Sequence, residues 1–274
     1  MLRRLSVVVR HAVLLAASVF FVFPLYWMFS GSLKRPIEIW AYPPKWIPST
    51  LQFSNYTHLF RSKPVLQWAL NSIIISLITV GLVVILSAAA GYGYAKKRFP
   101  GSRLLFSLIV ATMMMPTQVT LVPLYKLCVS LGLVNTYAGV ILPTLAYPFG
   151  VFIVRQFATT IPDELLEAAK IDGAGELRTF LVIVIPMLLP ALGALAIFAF
   201  MHSWNAYLWQ LVILQSESML TLPVGVSTMI YEEITINYGM AMTGATIAAI
   251  PLILFFLALQ KSFIQGITLG SIKG

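Results

Sequence analysis

The chain has 274 residues, 59% hydrophobic and 10% charged, with a net charge of +9. Soluble domains carry about 25% charged residues, and a soluble fold this apolar would leave surface it could not bury. The basic residues form no recognition helix for nucleic acid; they gather at the edges of apolar runs, where they bear on membrane topology.

Six crossings are predicted, at 10–32, 69–92, 104–126, 137–157, 180–203 and 238–260. Runs without Asp, Glu, Lys or Arg at 104–125, 127–154, 179–216 and 234–260 each reach the roughly 20 residues that span a bilayer as a helix. Arg3, Arg4 and Arg10 precede the first crossing, which has the basic start of a signal peptide. Its apolar run continues through the aromatics of 20–29, so it is read as a retained anchor. A long loop from Lys34 to Trp68 follows, stiffened by Pro36, Pro43, Pro44 and Pro48 and bearing Trp40, Tyr42 and Trp46. It suits a cap over an outer mouth or a simple interfacial lid. Lys96, Lys97, Arg98 and Arg103 fill the short loop after the second crossing. Pro116, Pro123, Pro143, Pro148, Pro186, Pro190 and Pro251 fall in or beside later crossings, where each removes a backbone donor and kinks or ends its helix.

Between the fourth and fifth crossings lies a polar island, Glu167-Ala168-Ala169-Lys170-Ile171-Asp172-Gly173-Ala174-Gly175. Thr160 with Asp163 three residues on reads as a capping box, and Pro162 suits an early helical position. Asp163 and Glu164 favour a helix start, Lys170 a helix end, and Gly173 a turn out of it. A second helical segment is predicted from Glu176. The first helix is expected to have about ten or eleven residues, too few to be stable alone in water. It needs tertiary support or a docking surface. Its exposed polar groups and small alanines make a knob able to pass force into the fifth crossing.

After the fifth crossing, Ser203–Gln210 reads as a bent or partly re-entrant helix. Trp204, Asn205, Tyr207 and Trp209 are candidates for a translocation path or outer gate, with aromatic anchoring at the interface as the alternative. Lys261 and Lys273 follow the sixth crossing. With six crossings, twelve basic residues fall on the side of the termini and six on the other, which places both termini in the cytoplasm.

Chemistry in the chain itself finds little support. The single Cys128 excludes an intrachain disulfide and a multi-cysteine metal site, and His11, His58 and His202 form no close pair in sequence. Asp163, Glu164, Glu167 and Asp172 lack a nucleophile or metal cluster beside them, and no P-loop pattern is present.

The core Glu167-Ala168-Ala169-Lys170-Ile171-Asp172-Gly173-Ala174, followed by Phe180, Pro186 and Pro190 and preceded by 161–165, resembles the permease subunits of binding-protein-dependent ABC importers. Asn71-Ser72, Leu142-Pro143, Trp204-Asn205, Leu222-Pro223 and the tail 263–270 extend the resemblance over nearly the whole chain. It is similar above all to the carbohydrate-uptake branch, and to the shorter permease of maltose-type transporters. The resemblance implies an all-α integral membrane protein with six transmembrane helices, a single importer domain over 1–274 and a cytoplasmic coupling loop at 158–179. It implies a multi-pass protein of a bacterial or archaeal cytoplasmic membrane, in contact with lipid and with no nucleic acid partner. The implied partners are a second permease, two cytoplasmic ATPases that bind ATP and Mg, and an extracytoplasmic solute-binding protein. This chain would hold no cofactor and catalyse nothing. Glu167, Ala168, Ala169, Asp172 and Gly173 would form the ATPase-docking knob. The expected cargo is a sugar, an oligosaccharide foremost. A glycerol phosphate or other small solute, a stand-alone secondary transporter and a membrane enzyme stay open as alternatives.

Overall fold

The structure is a computed structural model that describes residues 2–232 and 237–271. Lys273, counted above among the basic residues of the terminal side, lies outside them, as does the start of the apolar run at Ile234. All regular structure among the described residues is helical: α1 (Leu2–Ser32), α2 (Pro36–Ile39), α3 (Ser54–Ser62), α4 (Val65–Lys96), α5 (Ser102–Thr112), α6 (Thr117–Ser130), α7 (Tyr137–Ile141), α8 (Pro148–Ala158), α9 (Asp163–Ile171), α10 (Glu176–Thr179), α11 (Ile185–Trp204), α12 (Leu208–Ile213), α13 (Leu222–Glu232) and α14 (Tyr238–Ser271).

Four stretches are long and apolar enough to cross a membrane: Val7–Ser32, Val65–Lys96, Glu176–Trp204 and Tyr238–Ala258. Up to six result if each of two bent pairs counts once. The third predicted crossing is not one straight helix, because α5 and α6 meet at 100°. Pro116, extended at ψ 127, stands directly before α6 and denies it the donor that would continue α5. The fourth crossing bends by 44° between Leu142–Thr144 and α8, where Pro143 and Pro148 fall.

The chain divides into two compact units, one of Met1–Leu66 with Leu222–Pro251 and one of Gln67–Thr221 with Leu252–Gly274. In the first, the long loop is tied to the end of α1. Tyr26 Oη and Ser30 Oγ both donate to the Trp46 carbonyl (2.7 and 2.9 Å), and the Gln52 amide donates to the Leu33 carbonyl. Asn55 donates to the Ser32 carbonyl from α3. None of the apolar window of α1 itself is buried, so that helix offers its surface to lipid or to another chain.

In the second unit α4, α8 and α11 pack side by side. Val83, Ala88 and Tyr92 from α4 meet Val154 and Ala158 from α8 and Val184, Leu188, Leu195 and Ala199 from the α11 span. Gly91 permits this approach: a Cβ there would lie 2.6 Å from Val154 Cβ and 2.9 Å from the Arg155 backbone nitrogen. Further along α4, buried Asn71 is saturated. It donates to the Ser218 and Leu220 carbonyls and accepts from Gln67 and Tyr137, pinning the 217–220 turn.

Candidate functional site

The polar island folds as α9, nine residues long. Its start differs from the capping box expected. Pro162 is the cap, extended at φ −60 and ψ 135, with no side-chain cap bond. Thr160 instead donates back to the Phe157 carbonyl, closing the end of α8. Pro162 itself fixes the extended conformation of a cap residue, so the hydroxyl is free to serve the preceding helix. The helix end is as expected. Gly173 adopts φ +77, and its amide donates to the Lys170 carbonyl while the Ala174 amide donates to that of Ala169. This pair of bonds is a Schellman motif, which favours glycine at the left-handed position.

α9 has two faces. Glu164, Glu167, Ala168 and Ile171, at helical spacing i, i+3, i+4 and i+7, are exposed. Ile171 is 86% exposed, and Leu165 and Leu177 beside this stripe are also open. Leu166 packs inward onto the core formed by α4, α8 and α11, and Ala169 is buried. Ala168 and Ala169 therefore do different work, the first outward and the second as a close-packed support. Asp172 and Gly173 are exposed.

Two adjacent lysines at the end of α4 grip the island at both ends. Lys96 Nζ donates to the Ile161 carbonyl at 2.5 Å and to Asp163 Oδ1 at 2.7 Å, just where α9 begins. Lys97 pairs with Glu176, where α10 begins. The hydrogen bond and charge of Lys96 hold the Asp163 carboxyl below its ordinary range. Burial acts against the charge of Lys97, but its hydrogen bond to Glu176 and the closeness of Tyr92 outweigh it and its pKa is raised. The Tyr92 ring lies 5.3 Å from Lys97 Nζ and 5.4 Å from the Phe180 ring, continuing the grip into the core.

The exit of the island runs without a break into the membrane helix. α10 is followed by a π-helical segment, Phe180–Val184, and then α11. Pro186 explains the widened turns: it has no N–H for the fourth preceding carbonyl, that of Val182, and its ring crowds that oxygen. The apolar stretch Glu176–Trp204, which holds the fifth predicted crossing, thus begins directly after the island.

The second candidate group lies where α11 ends. Trp204 is 2% exposed and stacks on Phe200 at 5.5 Å. Trp209 on α12 is half-buried, and its Nε1 donates to the Gly139 carbonyl. Asn205 and Tyr207 are exposed. The two tryptophans therefore brace the local fold and are not displayed with the other two. Next to Trp209 in sequence, Gln210 is buried and joined to Ser203 and Thr221.

Sequence reasoning missed the grip of Lys96 and Lys97, which it counted only as topology charges. Their spacing to Asp163 and Glu176 is long in sequence, so only the packed fold reveals the pairs. It read Ile171 only as apolar helix surface and left it out of the docking residues, although the i, i+3, i+4, i+7 pattern from Glu164 could have flagged it. Among the described residues, no group of three or more His, Cys, Asp or Glu is placed to hold a metal ion.

A family model described as binding-protein-dependent transport system inner membrane component matches residues 81–269. The arabinooligosaccharides transport system permease protein AraQ of Bacillus subtilis (strain 168) is 38% identical over 260 residues, covering 94% of this chain and 92% of the relative. The lactose transport system permease protein LacG of Rhizobium radiobacter is 34% identical, covering 99% and 98%. In fold, the chain is similar to one in the crystal structure of a bacterial ABC transporter involved in the import of the acidic polysaccharide alginate. The TM-score is 0.82, with 23% identity over 95% of this chain and 97% of that one.

Proposed function

The chain belongs to the family of binding-protein-dependent transport system inner membrane components, and from that premise we propose that it is the permease subunit of an ABC importer for an oligosaccharide. The carbohydrate reading is supported by the named substrates of the two relatives above. In this reading each bent helix pair is one crossing, six crossings span a prokaryotic cytoplasmic membrane, and both termini are cytoplasmic. A second permease completes the passage, two ATPases bind ATP and Mg, and a binding protein delivers the sugar outside.

Residues 158–179 form the coupling loop. The observation that carries this role is the gripped island: a nine-residue helix too short to stand alone, fixed at its start by Lys96 and followed by an α10 start that Lys97 holds, yet presenting Glu167, Ala168 and Ile171 outward. A surface held this firmly with an apolar residue exposed fits a docking knob, with Glu167 available to a backbone amide or basic group of the ATPase. Asp172 and Gly173 shape its end, and Ala169 supports it from beneath. ATP-driven closure of the ATPases moves the knob. The motion enters the membrane through the continuous helix from Glu176 and through the lysines of α4. This chain hydrolyses nothing. Of the second group, exposed Asn205 and Tyr207 are the residues available to cargo at the outer gate, with Trp204 and Trp209 as their frame.

The test is a reconstituted complex of this chain with its companion permease, ATPases and binding protein. Glu167→Ala combined with Gly173→Val should abolish ATP-dependent sugar uptake while membrane insertion persists. Full uptake by that double variant would sink the coupling role.

A further inference from the structure

We infer that Tyr147 and His202 form a carbohydrate-contact subsite on this chain, within the passage that the import reading above assumes. Four rings are linked by successive contacts in the second unit. Phe198 meets Phe149 edge to face at 5.3 Å, Phe149 meets Tyr147 at 6.0 Å, and Tyr147 meets His202 at 5.4 Å. Phe198 and His202 are four residues apart on one face of α11. Tyr147 stands at the break in the fourth span, directly before α8. His202 is exposed and Tyr147 half-buried. Among the described residues, neither the tyrosine hydroxyl nor the imidazole is hydrogen-bonded to the protein.

Depth separates Tyr147 from interfacial anchors, whereas His202 stands two residues from the end of the stretch Glu176–Trp204. Tyr147 is about ten residues from either end of the pair Tyr137–Ala158, or roughly 15 Å at 1.5 Å per helical residue. That places it near the middle of a hydrocarbon layer about 30 Å thick. Bare polar groups facing lipid at that depth are costly, and ionisable side chains in spans face protein or water. A wetted passage removes the cost. The linked rings then offer an apolar aromatic surface ending in a hydroxyl and an imidazole, each able to donate and accept. A sugar ring is complementary to that mixture, with an apolar C–H face and hydroxyls around its rim.

The experiment uses the complete transporter in proteoliposomes, with single Tyr147→Cys and His202→Cys chains and a charged, membrane-impermeant thiol reagent. Buried Cys128 in the unsubstituted chain gives the background. The probes are arabinotriose, lactose, further pentose and hexose oligosaccharides, and glycerol 3-phosphate. Both positions should be labelled, and the sugar that the vesicles import should slow labelling about tenfold while glycerol 3-phosphate does not. Tyr147→Phe with His202→Phe, which keeps the rings and removes the polar tips, should cut sugar uptake about tenfold with ATP hydrolysis and thermal midpoint unchanged. Unlabelled thiols, labelling indifferent to an imported sugar, or normal uptake by the Phe pair would each overturn the subsite and leave the importer reading intact. Vesicles that import glycerol 3-phosphate and no sugar would instead overturn the carbohydrate reading, and the subsite with it.

Discussion

Lys96 does more than mark a membrane boundary. Its Nζ joins the Ile161 carbonyl to the Asp163 carboxylate, so one side chain sets where α9 begins. The Asp163 pKa is lowered from an ordinary value near 3.8. A depressed carboxyl contributes stability that is fully present above its unfolded pKa and is lost as pH falls through the folded one. Lys96→Met should therefore return the Asp163 titration, followed by carboxyl-carbon NMR, to the ordinary range; no movement would disprove the pairing. Gly173 makes a second case. Nothing lies within 4 Å of a Cβ built there, so a substitution meets no clash, but its φ of +77 disfavours any branched residue. Gly173→Val should cost about 1–2 kcal/mol, which is about 5–30-fold in the local opening of 163–174. Hydrogen exchange reads that opening, and Gly173→Asn should show a smaller change.

At the scale of elements, close approach between α4 and α8 predicts a contrast between two glycines two residues apart. Gly91→Ala puts a Cβ against Val154 and the fixed Arg155 backbone, whereas Gly93→Ala meets nothing within 4 Å. The first should lower the thermal midpoint, at a cost of about 1–3 kcal/mol; the second should be neutral or slightly stabilising. Equal effects would remove the packing argument. The element that sequence reading placed least well was the third crossing. Apolar length alone gave one helix over 104–126, whereas the chain turns by 100° near Pro116. Proline flagged the site but not the angle, which depends on packing that composition does not encode. The capping of α9 failed for a related reason: the Thr160 hydroxyl could accept from an amide at the start of α9 or donate to the end of α8, and Pro162 settled the choice. The C-terminal turn at Gly173 was legible because one residue type there serves one geometry. The π segment before Pro186 suggests a further experiment. Pro186→Leu allows ordinary helix to resume, and each residue shifted in register turns the helix by roughly 100°. Uptake should fall while insertion persists, and unchanged uptake would show that the register of the exit helix is immaterial.

At the scale of the molecule, the helix leaving the island runs as one piece from Glu176 to Trp204, joined to α9 through the turn at Gly173, and the core of α4, α8 and α11 receives Leu166 and Phe180 from either side of that turn. That continuity is the mechanical content of the proposal. It was partly visible in the sequence, as a polar insert between apolar runs, but the lysine grip that stiffens it joins residues 67 and 79 positions apart. The most direct measurement is a short reversible cross-link from Ala168→Cys, with Cys128 replaced by alanine, to the partner ATPase in the working complex. The account predicts an ATPase adduct that halts ATP-driven uptake until reduced. Uptake at the full rate, with position 168 reaching no ATPase in any nucleotide state, would contradict it.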